Sequence, residues 1–542
     1  MSNFRLTSEQ KDSIVHARHG GNMAIIAVAG SGKTLTLSGI AASDQRSGIY
    51  LVYNRRMKED IQGRLPPHVR AMTGHSLAFN AVIGSSYDYR MKFEAARDGR
   101  TIPMRTVVEN TDCLALAPLT TKQAAALILE TINQFQYSAD LELSRHHVPI
   151  EKIPAKIRAQ MDEASLRYIQ ETACDASQAI WAKMVDEASD FPILHDTYVK
   201  ILQLRQPEFS VPRYLCDEYQ DINPVMASII SGQRGQKIFV GDPQQQIYGW
   251  RGSINALEAL SKEEDVASYN LTRSFRFGPE VAGLANRVLR GLGSSIQIQG
   301  AGQRIGKPDP RKPVTVIARH NITLLEHVLA ASKRQQSFYL AGSSSEITQM
   351  IKSSYALYRG QTKEVKHPDL SGYDNWNEFK ATAHLLNDQT LGHLIRITEK
   401  YKDRALDLID TIARQRDTTE AQADVILTTA HKAKGREWSQ VHLAGDLALD
   451  PKLVAKLQCG VELSMDERER VNLLYVALTR PKHALILPSS IQDNLIKLRD
   501  IPLQAKHQSS KANDQPDSAM TTAMAPESTI QDSGYSPNSS TY

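Results

Sequence analysis

Cysteine is scarce in this 542-residue chain and never paired: Cys113, Cys174, Cys216 and Cys459 stand far apart, with no CxxC. Such spacing argues against a zinc ribbon, an iron–sulfur cluster or a disulfide framework, and suits reduced, mostly buried thiols in an intracellular protein. Long apolar runs are missing as well. The longest, around Met23–Ala29, is far short of the ~20 residues needed to cross a bilayer. The first residues, MSNFRLTSEQKDS, contain no apolar signal core. A soluble intracellular protein without a membrane partner is expected, in the cytoplasm or nucleoid if prokaryotic or viral. Neither charge dominates: 64 Lys+Arg against 60 Asp+Glu leave +4. That balance neither demands nor excludes a nucleic-acid partner, because local patches matter more than totals.

What is present points to several globular domains. At roughly 150 residues per domain the length suggests three or four. Met23–Ala29, Ile49–Tyr53 and Val69–Thr73 read as short strands separated by helical segments, the alternation of a parallel α/β sheet. Helical texture then runs from about Leu77 to Gln206, and strands return at Arg213–Cys216 and Lys237–Val240. A second α/β region starts near Tyr269, with strands at Val314–Ala318, Phe338–Ala341, Val425–Leu427 and Val441–Ala444 around a helical stretch at Ser343–Ala421. The expected organisation is a first core (1–78 and 211–268) with a helical insertion (79–210). A second core (269–342 and 422–503) with a shorter insertion (343–421) follows, then a Ser/Thr/Pro/Gln-rich tail (504–542) expected to be disordered.

The segment Ala27–Thr34, AVAGSGKT, follows the first strand and opens a helix. It is a phosphate-binding loop with Ala where the strict pattern has its first Gly. Small residues Ala29, Gly30, Ser31 and Gly32 let backbone N–H groups close around phosphate oxygens at a helix N-terminus. Lys33 supplies a cation for the terminal phosphates, and the Thr34 hydroxyl can join a Mg²⁺ shell. The partner element is Tyr214–Asp221, YLCDEYQD, whose apolar strand delivers Asp217 and Glu218 to the carboxyl edge of the sheet. Asp217 would hold the Mg²⁺ shell and Glu218 would orient and deprotonate an attacking water. The two elements together read as an NTP hydrolase.

Four further segments choose among NTP hydrolases. Val240–Gly252 (VGDPQQQIYGWRG) closely resembles motif III of superfamily 1 helicases of the UvrD/Rep type, and DEYQD resembles their motif II. Thr429–Trp438 (TAHKAKGREW) looks like motif V, and Asn472–Arg480 (NLLYVALTR) like motif VI. The wording of motif VI and of Tyr53-Asn54-Arg55 is most similar to the F-box DNA helicase branch, although no F-box segment is apparent. The motifs keep family order from Gln10 to Arg480. This resemblance implies two RecA-like P-loop motor domains, each with a mainly helical insertion, that clamp ATP and Mg²⁺ between them.

The resemblance also implies residue roles. Gln10 matches the adenine-reading Gln, and with Thr7 it can equally form a helix-capping box. Gln245 matches the γ-phosphate sensor, flanked by Gln244 and Gln246. Arg276 and Arg480 match the two arginines that reach the γ-phosphate from the second core. Phe275 matches an adenine-stacking Tyr and Glu437 an acceptor of a ribose hydroxyl. Leu35 replaces the usual Arg, so stacking from that side is not expected. Tyr248 and Trp250, beside Arg251, are spaced for base stacking. Asn54, Thr73, His75, Thr429 and His431 match positions that contact single-stranded DNA. No zinc is expected. The function so implied is ATP-dependent 3′→5′ translocation on single-stranded DNA and unwinding of tailed duplex, in repair, recombination or replication. A partner protein for the tail is also expected. A DNA-stimulated translocase subunit with little unwinding, a nucleotide-gated binding switch, and an RNA track remain open.

Overall fold

The computed structural model describes residues 6–53, 55–96, 102–153, 155–247, 249, 256–342, 344–367, 370, 373–385, 389–415 and 417–501. Asn54, Tyr248, Trp250, Arg251 and the tail 504–542 lie outside the described residues. Among the described residues, thirteen strands form two large parallel sheets and one short pair. The first sheet comprises β1 (Asn22–Ala27), β2 (Gly48–Val52), β3 (Val69–Thr73), β4 (Arg213–Cys216), β5 (Gln236–Gly241) and β6 (Val266–Leu271), in the order β3-β2-β4-β5-β1-β6. β7 (Arg273–Ser274) and β8 (Gln299–Gly300) pair with each other. The second sheet takes β9 (Val314–Ala318), β10 (Phe338–Leu340), β11 (Val425–Thr429), β12 (Trp438–Leu443) and β13 (Pro481–Ile486), in the order β10-β11-β9-β12-β13.

Inner strands are apolar runs because parallel strands with helices on both faces bury both sides. Every residue of β2, β4 and β11 is buried. Two of the edge strands differ: β6 (VASYNL) is buried only at its ends, with half-buried and exposed residues alternating between them, and in β13 (PKHALI) only Pro481 and Ala484 are buried. β6 pairs with β1 from Asn22↔Val266 to Ala27↔Leu271. It therefore runs across the boundary expected at 268/269 and lies wholly in the first sheet; the second region starts after Leu271, because the pairing with β1 continues to that residue.

Helices fill the 74–212 crossover between β3 and β4, chief among them Thr121–Tyr137, Glu163–Val185 and His195–Arg205. Their apolar faces share one cluster with the underside of the first sheet, through Ala24, Met72, Tyr214 and Phe239. Within this helical stretch residues 155–185 hold two helices, Ala155–Arg158 and Glu163–Val185, the latter capped by the Asp162 side chain accepting from the Ser165 N–H. A smaller set of helices, Ser344–Tyr358, Trp376–Leu385, Gln389–Tyr401 and Ala405–Arg414, stands between β10 and β11.

The amino ends of the first sheet are fastened by charge. Arg213 opens β4 with its guanidinium fully buried, donating to Asp44 Oδ2 at 2.7 Å and Oδ1 at 3.1 Å. Burial opposes ionisation of Asp44, but Arg46 and Arg213 hold its carboxyl well below the usual range. Asp44→Asn leaves a buried cation without its counter-charge and is expected to cost roughly 3 kcal/mol, measured by urea unfolding at pH 7. Because the folded-state pKa is depressed, the contribution is present above the unfolded value near 4 and fades as pH falls below it. The difference between variant and parent should therefore shrink on acidification.

Candidate active site

β1 ends at Ala27, and the chain turns through Val28–Gly32 before entering the helix Lys33–Ala41. Gly30 (φ +76°) and Gly32 (φ +81°) sit in the left-handed region, which other residues enter only at a cost. Space is the second constraint at Gly30. A Cβ there would lie 2.7 Å from both Ser274 Oγ and Arg276 Cβ, and the Phe275 N–H donates to the Gly30 carbonyl at 2.9 Å. The loop is thus pressed against the segment 273–276. Ser31 Oγ and Ser274 Oγ are buried without a hydrogen-bond partner, as befits a cradle shaped for oxygen-rich groups.

Gln10 lies behind this loop, almost completely buried. Its Oε1 accepts from the Thr7 N–H (3.0 Å), closing the capping box of the helix Ser8–Ala17, while its Nε2 donates to the Ser31 carbonyl (3.2 Å). Glu9 beside it accepts from the Thr272 N–H (2.9 Å) and hydroxyl (2.6 Å).

Across the carboxyl edge, β4 delivers the acidic pair. Asp217 accepts from the Tyr50 hydroxyl (2.9 Å) and from the Glu218 N–H (2.9 Å). Glu218 has φ +51°, a strained conformation worth about 1–2 kcal/mol for a residue with a Cβ. In that conformation its carboxylate stands 3.5 Å from Lys33 Nζ and accepts from Gln220 Nε2 at 2.5 Å. Burial raises both carboxyls. For Glu218 the Lys33 and Lys434 charges and the Gln220 amide outweigh it, so the group stays ionised. Asp217, buried beside that negative charge, is pushed up. A carboxylate raised this way fits a divalent cation, and the Thr34 hydroxyl and Asp217 are the oxygen donors of this corner.

The second sheet supplies the opposite wall. Arg480, following the helix Met465–Leu478, is 1% exposed. It donates to the Val476 carbonyl (2.8 Å) and to Gln245 Oε1 (3.4 Å), and burial with nearby Arg276 lowers it to about 9. Gln245 Nε2 donates to Asp242 Oδ2 (2.7 Å), which also accepts from the Tyr475 hydroxyl (3.0 Å). Lys434 pairs with Asp221 (2.5 Å) and donates to the Gln245 carbonyl. Arg276 pairs with Glu437 (2.7 Å), which also pairs with Lys482.

One cleft of about 570 Å³ is lined by Gly30–Thr34, Asp217, Glu218, Gln245, Arg276 and Arg480 from the expected set. Gln245, and neither of its neighbours, faces it. Ala29 is buried in an apolar cluster with Phe277 and Tyr475, and Phe275 is an exposed ring beside the loop with Arg273 5.6 Å from its centroid. Asp221 and Lys434 also line the cleft, and sequence reasoning missed them. The signal was there, since both lie inside quoted motifs, but their pairing depends on the two sheets meeting.

The expected nucleic-acid residues divide between the two edges. Thr73 caps the helix Gly74–Val82, accepting from the Ser76 N–H (3.0 Å). His75 meets Asp196 (3.2 Å) in a cavity of about 820 Å³ that includes Tyr137, His195 and Tyr198 and shares Asp217, Glu218 and Asp221 with the first cleft. His431 pairs with Glu469 (3.4 Å). Thr429 is 6% exposed, with little surface to offer a strand, because it closes the fully buried β11. Outside these regions Asp140, His146 and His147 bring ligand-type atoms together. Polar contacts tie them to one another: His146 Nε2 lies 2.6 Å and His147 Nε2 3.0 Å from Asp140 Oδ2.

Comparison with known proteins relates this geometry to helicases. Residues 55–265 match the family described as the UvrD/REP helicase N-terminal domain. The chain is 29% identical to F-box DNA helicase 1 of Gallus gallus over 521 residues, covering 91% of this chain and 50% of that protein. It is 29% identical to F-box DNA helicase protein 1 of Schizosaccharomyces pombe (90% and 58% covered) and 24% identical to DNA helicase II of Haemophilus influenzae (77% and 60%). The chain thus spans about half the length of the curated relatives it matches. These similarities support kinship with UvrD/Rep-type superfamily 1 helicases without singling out a branch.

Proposed function

We propose that the chain is an ATP hydrolase that moves 3′→5′ along single-stranded DNA and unwinds tailed duplex. The observation that carries this reading is the convergence of Lys33, Glu218 and Gln245 from the first sheet with Arg276 and Arg480 from beyond it in one cleft. The two motor cores of this reading are built on the two large sheets, with the first extended to Leu271.

Each residue then has a task. Lys33 and the backbone N–H groups of Gly30–Thr34 hold the phosphates. Glu218, kept ionised by Lys33, takes the proton of the attacking water. Arg480 and Arg276 answer the negative charge that develops on the transferred group, and because they lie on the far wall, hydrolysis requires a closed cleft. Mg²⁺ at Thr34 and Asp217 would neutralise phosphate charge. Gln245, hydrogen-bonded to both Asp242 and Arg480, links the phosphate end of the cleft to the segment leading into Tyr248 and Trp250, whose proposed stacking on bases tolerates any sequence. His75 and His431 are proposed strand contacts on the two edges. The tail is proposed to recruit a protein.

Lys33→Ala and Glu218→Gln are each expected to lower DNA-stimulated ATPase activity by at least about 100-fold while the circular dichroism spectrum is retained; full turnover by Glu218→Gln rejects its assignment. With ATP, a duplex bearing a 3′ tail should unwind, and 5′-tailed or blunt duplexes should not. ATPase stimulation without strand separation would instead favour a translocase that scarcely unwinds.

A further inference from the structure

We propose that Tyr50 is a positioning residue of the divalent-cation corner, its buried phenol orienting the Asp217 carboxylate for Mg²⁺. The inference rests on the hydrolase reading above and adds a residue to which that reading gives no task.

Tyr50 lies in the middle of β2, which runs beside β4 in the register Tyr50↔Leu215 and Leu51↔Cys216. The ladder continues one step past the end of β4, where the Asp217 N–H donates to the Leu51 carbonyl (3.0 Å). That bond draws Asp217 against β2, and the Tyr50 hydroxyl, on a fully buried side chain, donates to Asp217 Oδ2 at 2.9 Å. The ring shares an apolar cluster with Leu215 of β4 and with Leu37 and Ile40 of the helix that the phosphate loop opens. Thr34, on the first turn of that helix, brings its hydroxyl close to the same phenol. One side chain thus reaches both oxygen donors of the cation corner, which come from different elements of the sheet.

Burial alone does not account for the hydroxyl. A phenylalanine would fill the same apolar cluster, and any acceptor satisfies a buried Tyr hydroxyl. The acceptor here is a carboxylate already held at its other oxygen, since Asp217 Oδ1 accepts from the Glu218 N–H (2.9 Å). With a donor on each oxygen, the group cannot rotate about its Cβ–Cγ bond without breaking both hydrogen bonds. Each oxygen keeps a lone pair, and a hard cation takes oxygen donors of this kind.

The charge of the donors is informative. Both donors to Asp217 are neutral, whereas Glu218 stands 3.5 Å from the Lys33 ammonium. A lysine or arginine could hold Asp217 as firmly, but its charge would compete with a divalent ion for the carboxylate. A phenol orients the group and leaves its charge to the ion. Tyr50 does not line the cleft, so its effect passes through Asp217.

Hydrogen-bond partners of ligating carboxylates are worth roughly 10–100-fold in metal affinity, which sets the size of the test. Binding of a fluorescent ATP analogue to the full chain is measured with Mg²⁺ and with EDTA, in the parent and in Tyr50→Phe. Mg²⁺ should tighten binding to the parent. In Tyr50→Phe the affinity in EDTA should be unchanged, while the gain from Mg²⁺ shrinks by about tenfold or more. An equal gain in parent and variant overturns the inference. So does a loss of affinity in both arms, which marks Tyr50 as a residue of the fold alone, and so does a parent whose binding ignores Mg²⁺. Mg²⁺-dependent binding without DNA-stimulated hydrolysis sinks the hydrolase reading alone, and failure of the parent to bind the analogue overturns both.

Discussion

Two neighbouring carboxylates, Asp217 buried and Glu218 half-buried, stand at the end of β4, and much of the molecule is arranged to make that tolerable. Like charges so close repel by about 4 kcal/mol at 4 Å and an effective dielectric of 20, so cations must be brought to them. None comes from their own strand. Lys33 arrives from the loop after β1, while Lys434 and Arg480 arrive from elements of the second sheet. The charges that keep Glu218 ionised are also the charges that hold the two sheets against one another.

A hydrogen-bonded chain continues from the acidic pair into the second core. Gln220 donates to Glu218 and accepts from the Asp242 N–H; Asp242 accepts from Gln245 and from Tyr475; Gln245 accepts from Arg480. Its members are buried, where an unpaired polar group costs more than in water. Displacing the second core would break several of these bonds together. For a motor of the proposed kind, these would be the bonds that opening of the cleft has to break, and phosphate charge is the natural agent to favour the closed form.

The inner strands were legible because burial on both faces writes an apolar run, and β4 and β9 stand at the expected residues; so does the edge strand β3, which is mostly buried. β6 and β13 were not, since VASYNL and PKHALI hold polar residues at positions that stay exposed or half-buried and offer no such run. Missing β6 also displaced the expected boundary, because the chain crosses to the second core only after this strand. The phosphate loop and the acidic pair were legible from spacing, since their chemistry is local to one turn each. Asp221 and Lys434 were not, because the pair they form joins segments 213 residues apart in sequence. Gln10 shows a further limit: its position announces an amide at the cleft, while its hydrogen bonds depend on where the Ser31 carbonyl turns.

The small net charge looks different once its members are located. Lys33, Lys434 and Arg480 face the acidic cleft, Arg213 is consumed by Asp44, and buried Lys92 and Lys200 donate to backbone carbonyls of the helical insertion. Their counter-charges Asp44, Asp217, Glu218 and Asp221 lie inside with most of them, so the interior charges largely cancel and the surface is left with a total as small as the +4 of the whole sequence. A strongly basic track would bind phosphates tightly and make release slow and salt-dependent. Stepping instead requires contacts that can be made and broken in each cycle. Stacking and polar contacts meet that requirement, and charge reserved for the cleft lets nucleotide, rather than the strand, command the largest electrostatic change in the protein.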